Sequence, residues 1–208
     1  MNEVQTTPPI RFSETLDHLW AEFDRAPAKL SLREVVLMFG PKGHVLLILF
    51  FVLPFLQPIP IPGLSTALGF LILMAGYFMF LNEPPWLPNF VAKLQVEKKF
   101  LLRITSTLES LLRKVERVVK PRGQPAFARP RVRAFNGLML SFHAFLLALP
   151  LPVPISNFLP ALVIALLALG CLEEDIYVLV VGYLVAVVNA AFFGFLLYSP
   201  FFIKELLS

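Results

Sequence analysis

The chain has 208 residues, of which 57% are hydrophobic and only 15% charged, with a formal net charge of +4. A soluble domain of this size carries about a quarter charged residues, so an ordinary water-facing surface is not expected. The charges are also missing from whole blocks, residues 45–81, 134–172 and 176–203, each as long as the ~20 residues a helix needs to cross hydrocarbon.

Residues 1–43 are polar and mix five basic with six acidic side chains. A secretory leader would place its apolar core near the start, so none is expected here. Phe12, Leu16, Leu19, Trp20 and Phe23 recur at helical spacing and predict a short amphipathic helix lying on a membrane. Ser31-Leu32-Arg33-Glu34 reads as a capping box, in which serine and glutamate satisfy two free backbone donors reciprocally. The helix it opens is expected to bury Val35, Val36 and Phe39 and to stop at Gly40-Pro41.

Residues 44–82 form the first hydrophobic block, expected as a proline-broken helix pair. The basic segment 83–135 follows, and between 82 and 133 it holds twelve basic residues against four acidic ones. Pro84, Pro85 and Pro88 frame Trp86, which suits an interfacial anchor. An amphipathic helix is predicted over roughly 95–120. There Leu101, Ile104, Leu108, Leu111, Val115 and Val118 step by three and four, among Lys98, Lys99, Arg103, Arg113, Lys114 and Arg117. Membrane surface or internal packing is its preferred reading, and pairing with another helix, including its copy in a homodimer, the alternative. Residues 121–133 look too proline-broken for a helix. A second broken pair is expected at 136–172, an acidic turn at Glu173-Glu174-Asp175, and a transmembrane helix within 176–203. The fold expected is thus an all-α integral membrane protein, with two proline-broken helix pairs, re-entrant or fully spanning, forming an internal repeat, a final transmembrane helix and amphipathic surface helices.

The two blocks resemble each other. The first contains Leu53-Pro54, Pro58, Pro60, Pro62-Gly63, Ser65-Thr66, and the second Leu149-Pro150, Pro152, Pro154, Ser156-Asn157, Pro160. Each reads as an apolar helix, alternating prolines, a small polar pair and a second apolar helix. The helix before each break is expected to run about 13–15 residues, or roughly 20 Å, short of a full crossing. Proline cannot donate a hydrogen bond or continue a helix, and unpaired backbone in lipid must be buried in protein or line a wet cavity. The following helix presents free N–H groups and a positive dipole end. Pro60, Pro62, Gly63, Ser65 and Thr66 at one break, with Pro154, Ser156 and Asn157 at the other, are therefore candidate anion-binding residues.

Basic residues mark the cytoplasmic side of membrane segments. The N-terminus, the basic linker and the 173–175 turn are accordingly placed in the cytoplasm of a bacterial inner-membrane protein, and the repeats are counted as parallel. The membrane accounts for the positive charge, so nucleic-acid binding is not expected. Cys171 cannot form an internal disulfide, His18, His44 and His143 are scattered, and no metal-ligand cluster or cofactor motif is present. No nucleophile elbow, phosphate loop or paired acid and base points to an enzyme.

Five motifs carry a family resemblance. They are Pro58-Ile-Pro60-Ile-Pro62-Gly63-Leu-Ser65-Thr66, Pro85-Trp86-Leu87-Pro88, Val115-Glu116-Arg117-Val-Val-Lys-Pro121-Arg122, Asn157-Phe-Leu-Pro160-Ala, and Leu169-Gly170-Cys-Leu172-Glu173-Glu174-Asp175. In this order, over residues 31 to about 195, the chain resembles the ExoD family of exopolysaccharide-synthesis proteins. It departs at Ile176, where the family usually has glycine, so the turn there is expected to differ. The resemblance implies a small inner-membrane protein linked to exopolysaccharide production and, in some members, alkali tolerance, with no chemical activity to carry over.

Three function classes follow. In the first, the chain translocates an anionic lipid such as a polyprenyl-phosphate carrier. Ser65, Thr66, Asn157 and backbone N–H groups would hold the phosphate, Arg122 and Arg133 would recruit the headgroup, and Glu173 and Asp175 would exchange protons or hold those arginines. The second class is an ion or proton exchanger, weakened by the lack of a carboxylate inside the first two blocks. The third is a non-catalytic scaffold of a polysaccharide assembly complex.

Overall fold

The computed structural model describes residues 29–38, 42–56, 64–84, 87–93, 95–97, 122–123, 127, 129–149 and 156–198. Their order is β1 (Lys29–Ser31), α1 (Leu32–Met38), α2 (Gly43–Val52), a 3-10 turn (Leu53–Leu56), α3 (Leu64–Phe80), α4 (Asn89–Ala92), β2 (Gln95–Glu97), α5 (Pro130–Ala148), α6 (Phe158–Leu172) and α7 (Ile176–Tyr198). The described residues are helical apart from turns and one short ladder, in which β1 pairs antiparallel with β2, Leu30 opposite Val96.

The capping box forms as expected. The Ser31 N–H and Oγ–H both donate to Glu34 Oε2 at 2.7 Å, and the Glu34 N–H donates to Ser31 Oγ at 3.3 Å. The two donors hold the Glu34 carboxyl below the usual carboxylate range. Val36 of α1 is buried and Leu37 exposed, while Phe39, Gly40 and Pro41 lie outside the described residues.

Two expectations need correction. The helix predicted over 95–120 does not begin at residue 95, because Gln95–Glu97 is a strand whose backbone is taken by Lys29–Ser31. Its remainder, with the heptad face, lies outside the described residues, as does the 12–23 stripe. The stretch ending at Arg133 is also not wholly broken, since α5 opens at Pro130, and the helix before the second break is accordingly 19 residues long rather than the shorter one expected. Proline is well placed in a first turn, where its missing N–H would have no partner in any case.

α2, α3, α5 and α6 close a ring. Each packs on the next, and α2 returns to α6. The tightest pair is α3 with α5, running antiparallel and separated only by small residues. A Cβ built on Gly137 would lie 2.5 Å from Phe80 N, one on Gly76 would lie 2.6 Å from Ser141 Oγ, and one on Gly69 would lie 3.0 Å from Ala148 Cβ. Small residues let helix backbones approach closely where lipid supplies no hydrophobic drive for helix association. The approach is reinforced by Ser141 Oγ–H, which donates to the Leu73 carbonyl at 3.2 Å.

α7 packs back antiparallel along α6, with Gly170 against Leu179 and Gly182 against Leu167. The hairpin between them is a Schellman turn. Glu174 takes a left-handed conformation at φ 54°, the Asp175 N–H donates to the Gly170 carbonyl at 3.0 Å, and Asp175 Oδ1 then caps α7 by accepting the Tyr177 N–H at 2.8 Å. Glycine is thus not required after the aspartate here, because the left-handed residue is two positions earlier and Ile176 is already helical. The end of α3 turns in the same way, with Asn82 at φ 58° and the Glu83 N–H on the Phe78 carbonyl at 3.0 Å.

α7 is long and apolar enough to cross a membrane over Ile176–Leu196, and only 28% of that window is buried. The core helix of a soluble protein would be mostly covered. Instead α7 exposes Tyr177, Val180, Val181, Leu184, Val187, Val188, Phe195 and Tyr198 as one stripe.

Candidate functional site

The flanks of the two proline breaks converge at one end of the bundle. Thr66, in the first turn of α3, donates from Oγ1 to the carbonyl of Ala148, the last residue of α5, at 3.2 Å. A carbonyl left without a helical partner by the second break is therefore met by a hydroxyl from just beyond the first. In the other direction, the 3-10 turn Leu53–Leu56 that leads into the first break packs on α6, which leaves the second. Ser65 and Ser156 are both buried. Asn157 occupies the cap position of α6 at φ −84° but makes no side-chain capping bond. The structure thus brings Ser65, Thr66, Ser156 and Asn157 to the same end, whereas Pro60, Pro62, Gly63 and Pro154 lie outside the described residues.

The charged candidates gather at the opposite end, about 24 Å away along α6 at 1.5 Å per residue. The Arg122 guanidinium stacks over the Tyr177 ring at 5.0 Å. Arg133 lies on the first turn of α5, half-buried. Lys42 donates to the Leu172 carbonyl at 3.0 Å and pairs with Glu174 at 3.6 Å. The acidic turn therefore takes a lysine partner that the sequence did not suggest. Asp175 is buried and acts as a helix cap, and Glu173 is buried beside it. Arg122 and Arg133 do not share a pocket with the break residues.

Sequence reasoning passed over a third set of residues, the neutral polar side chains buried between these ends. Asn136, His143 and Asn189 are at most 2% exposed. The Tyr183 hydroxyl of α7 bonds to Asn136 Oδ1 of α5, and His143 Nδ1 faces the Met139 carbonyl at 2.8 Å. His44 is fully buried at the charged end, with the Glu83 and Pro84 backbone and Arg133 as its polar neighbours. A signal for these residues was available. Asn136 and His143 are seven apart on one helix, and polar residues inside a long uncharged block are costly unless they have a task. Among the described residues no three His, Cys, Asp or Glu side chains cluster as a metal site.

These features define a helical bundle with one helix long and apolar enough to cross a membrane and with the flanks of two helix breaks gathered at one end. Residues 12–195 match the family model described as "Exopolysaccharide synthesis, ExoD". The chain is 34% identical over 173 residues to Protein ExoD of Rhizobium meliloti (strain 1021), covering 83% of this chain and 72% of that one. It is 27% identical over 194 residues to an uncharacterised protein of Synechocystis sp. (strain ATCC 27184 / PCC 6803 / Kazusa), covering 88% and 90%. No solved structure matches it. The chain belongs to the ExoD family of exopolysaccharide-synthesis proteins.

Proposed function

We propose that this chain is a multi-pass inner-membrane protein that supports exopolysaccharide synthesis by binding and translocating an anionic, polyprenyl-phosphate-like lipid at the paired helix breaks. It acts as a transport protein rather than an enzyme, with membrane lipid as its partner. The observation that carries this reading is the Thr66–Ala148 hydrogen bond, which joins the flanks of the two breaks.

The lengths support a location inside the bilayer. α7 has 23 residues, or about 34 Å, enough for a hydrocarbon core of about 30 Å. The register set by Gly170–Leu179 and Gly182–Leu167 continues to put Phe158, the first residue of α6, beside Ala191. α7 runs a further seven residues to Tyr198, about 10 Å. With α7 crossing from the charged end, the second break falls well short of the far surface. Backbone freed at that depth requires protein or water partners, and the free N–H groups opening α3 and α6 favour an anion. The cations at the other end favour a cytoplasmic placement of that end, and with it the N-terminus and the basic linker. The similar course of the two blocks, helix, break and helix ending in a left-handed residue, supports an internal repeat.

The test uses purified full-length protein in vesicles carrying a labelled polyprenyl phosphate, with transbilayer movement followed by quenching of the outward-facing label. Movement above protein-free vesicles, reduced in Thr66→Val and Asn157→Leu, is expected. Inserted protein that moves no labelled lipid overturns the proposal.

A further inference from the structure

The helices α5 and α7, whose seam is marked by the Tyr183–Asn136 bond, carry four buried polar atoms with no hydrogen-bond partner among the described residues: Asn136 Nδ2, His143 Nε2, and both Nδ2 and Oδ1 of Asn189. All three residues are at most 2% exposed. An unpaired polar atom in an apolar interior costs about 1–3 kcal/mol, and in a membrane bundle such residues mark ion and proton pathways. They are also ordered along the bundle. Asn136, joined to Tyr183, lies toward the charged end. His143 is seven residues deeper on α5, and its ring faces the Ala186 backbone across the seam. Asn189 is one turn beyond Ala186 on α7. The α6–α7 register carries it to the level of Pro160, where the second break opens into α6.

The surroundings of His143 are unusual in a specific way. Nδ1 faces the Met139 carbonyl at 2.8 Å, while Nε2 has no partner at hydrogen-bond distance among the described residues. A neutral imidazole carries one N–H and one lone pair. A carbonyl only accepts, so the N–H is on Nδ1, and the lone pair of Nε2 is left to take a proton.

We propose that Asn136, Tyr183, His143 and Asn189 form a hydrated proton path from the charged end to the helix breaks, with His143 as its proton-binding group. A hydronium ion entering past Asn136 gives its proton to the free His143 nitrogen and leaves as water. The imidazolium is held by the Met139 carbonyl until a water beside Asn189 removes the proton. Few other groups compete with it. The described titratable side chains on the packed helices are His44 at the charged end of α2, Tyr77 of α3, Cys171 of α6, and Tyr177, Tyr183 and Tyr198 of α7. Tyr77 is 46% exposed, Cys171 adjoins Tyr183, and no charged side chain is among the polar neighbours of His143.

This inference rests on the membrane-spanning reading but not on lipid as the cargo. The full-length protein is placed in vesicles of phosphatidylethanolamine and phosphatidylglycerol loaded with a pH-sensitive dye, under a potassium diffusion potential. Resistance to carbonate extraction scores insertion, and the lipid assay above is run on the same vesicles. Wild type is expected to acidify the lumen faster than protein-free vesicles, and His143→Gln and Asn189→Leu to lose that flux. Tyr183→Phe, which removes a single hydroxyl, is the variant of least bulk change and is expected to slow it. Inserted wild-type protein without flux overturns the path, as does flux unchanged in all three variants. Failure of lipid movement alone leaves it standing.

Discussion

Replacing Gly137 by alanine tests the packing that brings the two breaks together. The added methyl would sit 2.5 Å from Phe80 N and 2.7 Å from the Gly76 carbonyl oxygen, where ordinary contact begins at 3.4 Å. Both obstacles are helix backbone, so α3 and α5 must separate by roughly 1 Å, the gap needed to restore ordinary contact, and overpacking of this kind costs about 1–3 kcal/mol. The same displacement lengthens the 3.2 Å bond from Ser141 to Leu73, and interhelical bonds in membranes average about 0.6 kcal/mol. Alanine recovers up to ~1 kcal/mol of helix propensity. The net expectation is a loss of about 0.5–2.5 kcal/mol, or roughly 1–10 °C in midpoint for a chain of this size. Gly194→Ala is the control, because nothing lies within 4 Å of its added methyl, and it is expected to be neutral or slightly stabilising. Both are compared by thermal unfolding in one detergent. Equal midpoints for the two variants would refute the close approach of α3 and α5.

Asp175→Ala should cost about 1 kcal/mol through loss of the α7 cap, whereas Asp175→Asn, which keeps a capping oxygen, should retain both stability and any transport. A transport defect in Asp175→Asn at unchanged stability, shared by Asp175→Ala, would instead assign the carboxylate a proton-handling role. Glu174→Gly relieves a left-handed residue, worth about 1–2 kcal/mol, and gives up the Lys42 pair, worth about 0–1 kcal/mol. Its midpoint should therefore be unchanged or higher, and that of Glu174→Val lower. Ser31→Ala should raise the Glu34 pKa toward the ordinary carboxylate range, seen by NMR titration of its side chain. The folded-state value is the depressed one, so the capping contribution is present above the unfolded pKa and is lost as pH falls through the folded value. An unmoved titration would mean that Ser31 does not hold the carboxylate.

The sequence made the local features legible and the lateral ones illegible. The Ser31–Glu34 box could be read because both partners are three residues apart and their geometry is fixed by the backbone. The apolar helices α2, α3, α6 and α7 could be read because each lies in a long block without charge. The pairing of Thr66 with Ala148 could not, since it joins residues 82 apart. Nor could the partner of Lys42, which lies across the bundle. The small residues Gly69, Gly76, Gly137 and Ser141 are scattered in sequence and become a single stripe only when α3 and α5 run antiparallel. His143 was visible as a letter, but its burial in the bundle, with one ring nitrogen on the Met139 carbonyl and the other unpaired, was not. Pro130 misled in the opposite direction, because a proline that ends one helix can equally open the next.

The depth ordering of polar groups adds an argument for the bilayer that does not depend on the length of α7. The described ionised side chains of the bundle lie at the end where α2 begins, α3 and α6 stop, and α5 and α7 start. Farther in come only neutral groups, Asn136, Tyr183, His143 and Asn189, and then the hydroxyls and amide at the breaks. Water gives no reason for such a gradient, since a soluble bundle can carry charge at any height on its outer faces. Hydrocarbon does, because transfer of a charged side chain to the centre of a spanning helix costs about 2.5–3.5 kcal/mol even on the mildest scale, whereas a neutral amide or imidazole can be accommodated with one or two partners. The outer faces at those heights carry Phe70, Tyr77, Phe142, Phe145, Leu184 and Val187, all exposed. A lysine placed at Leu184 should therefore impair insertion, while one placed at Tyr177, beside Arg122, should be tolerated, and equal insertion of the two variants would remove the bilayer as the cause of the gradient.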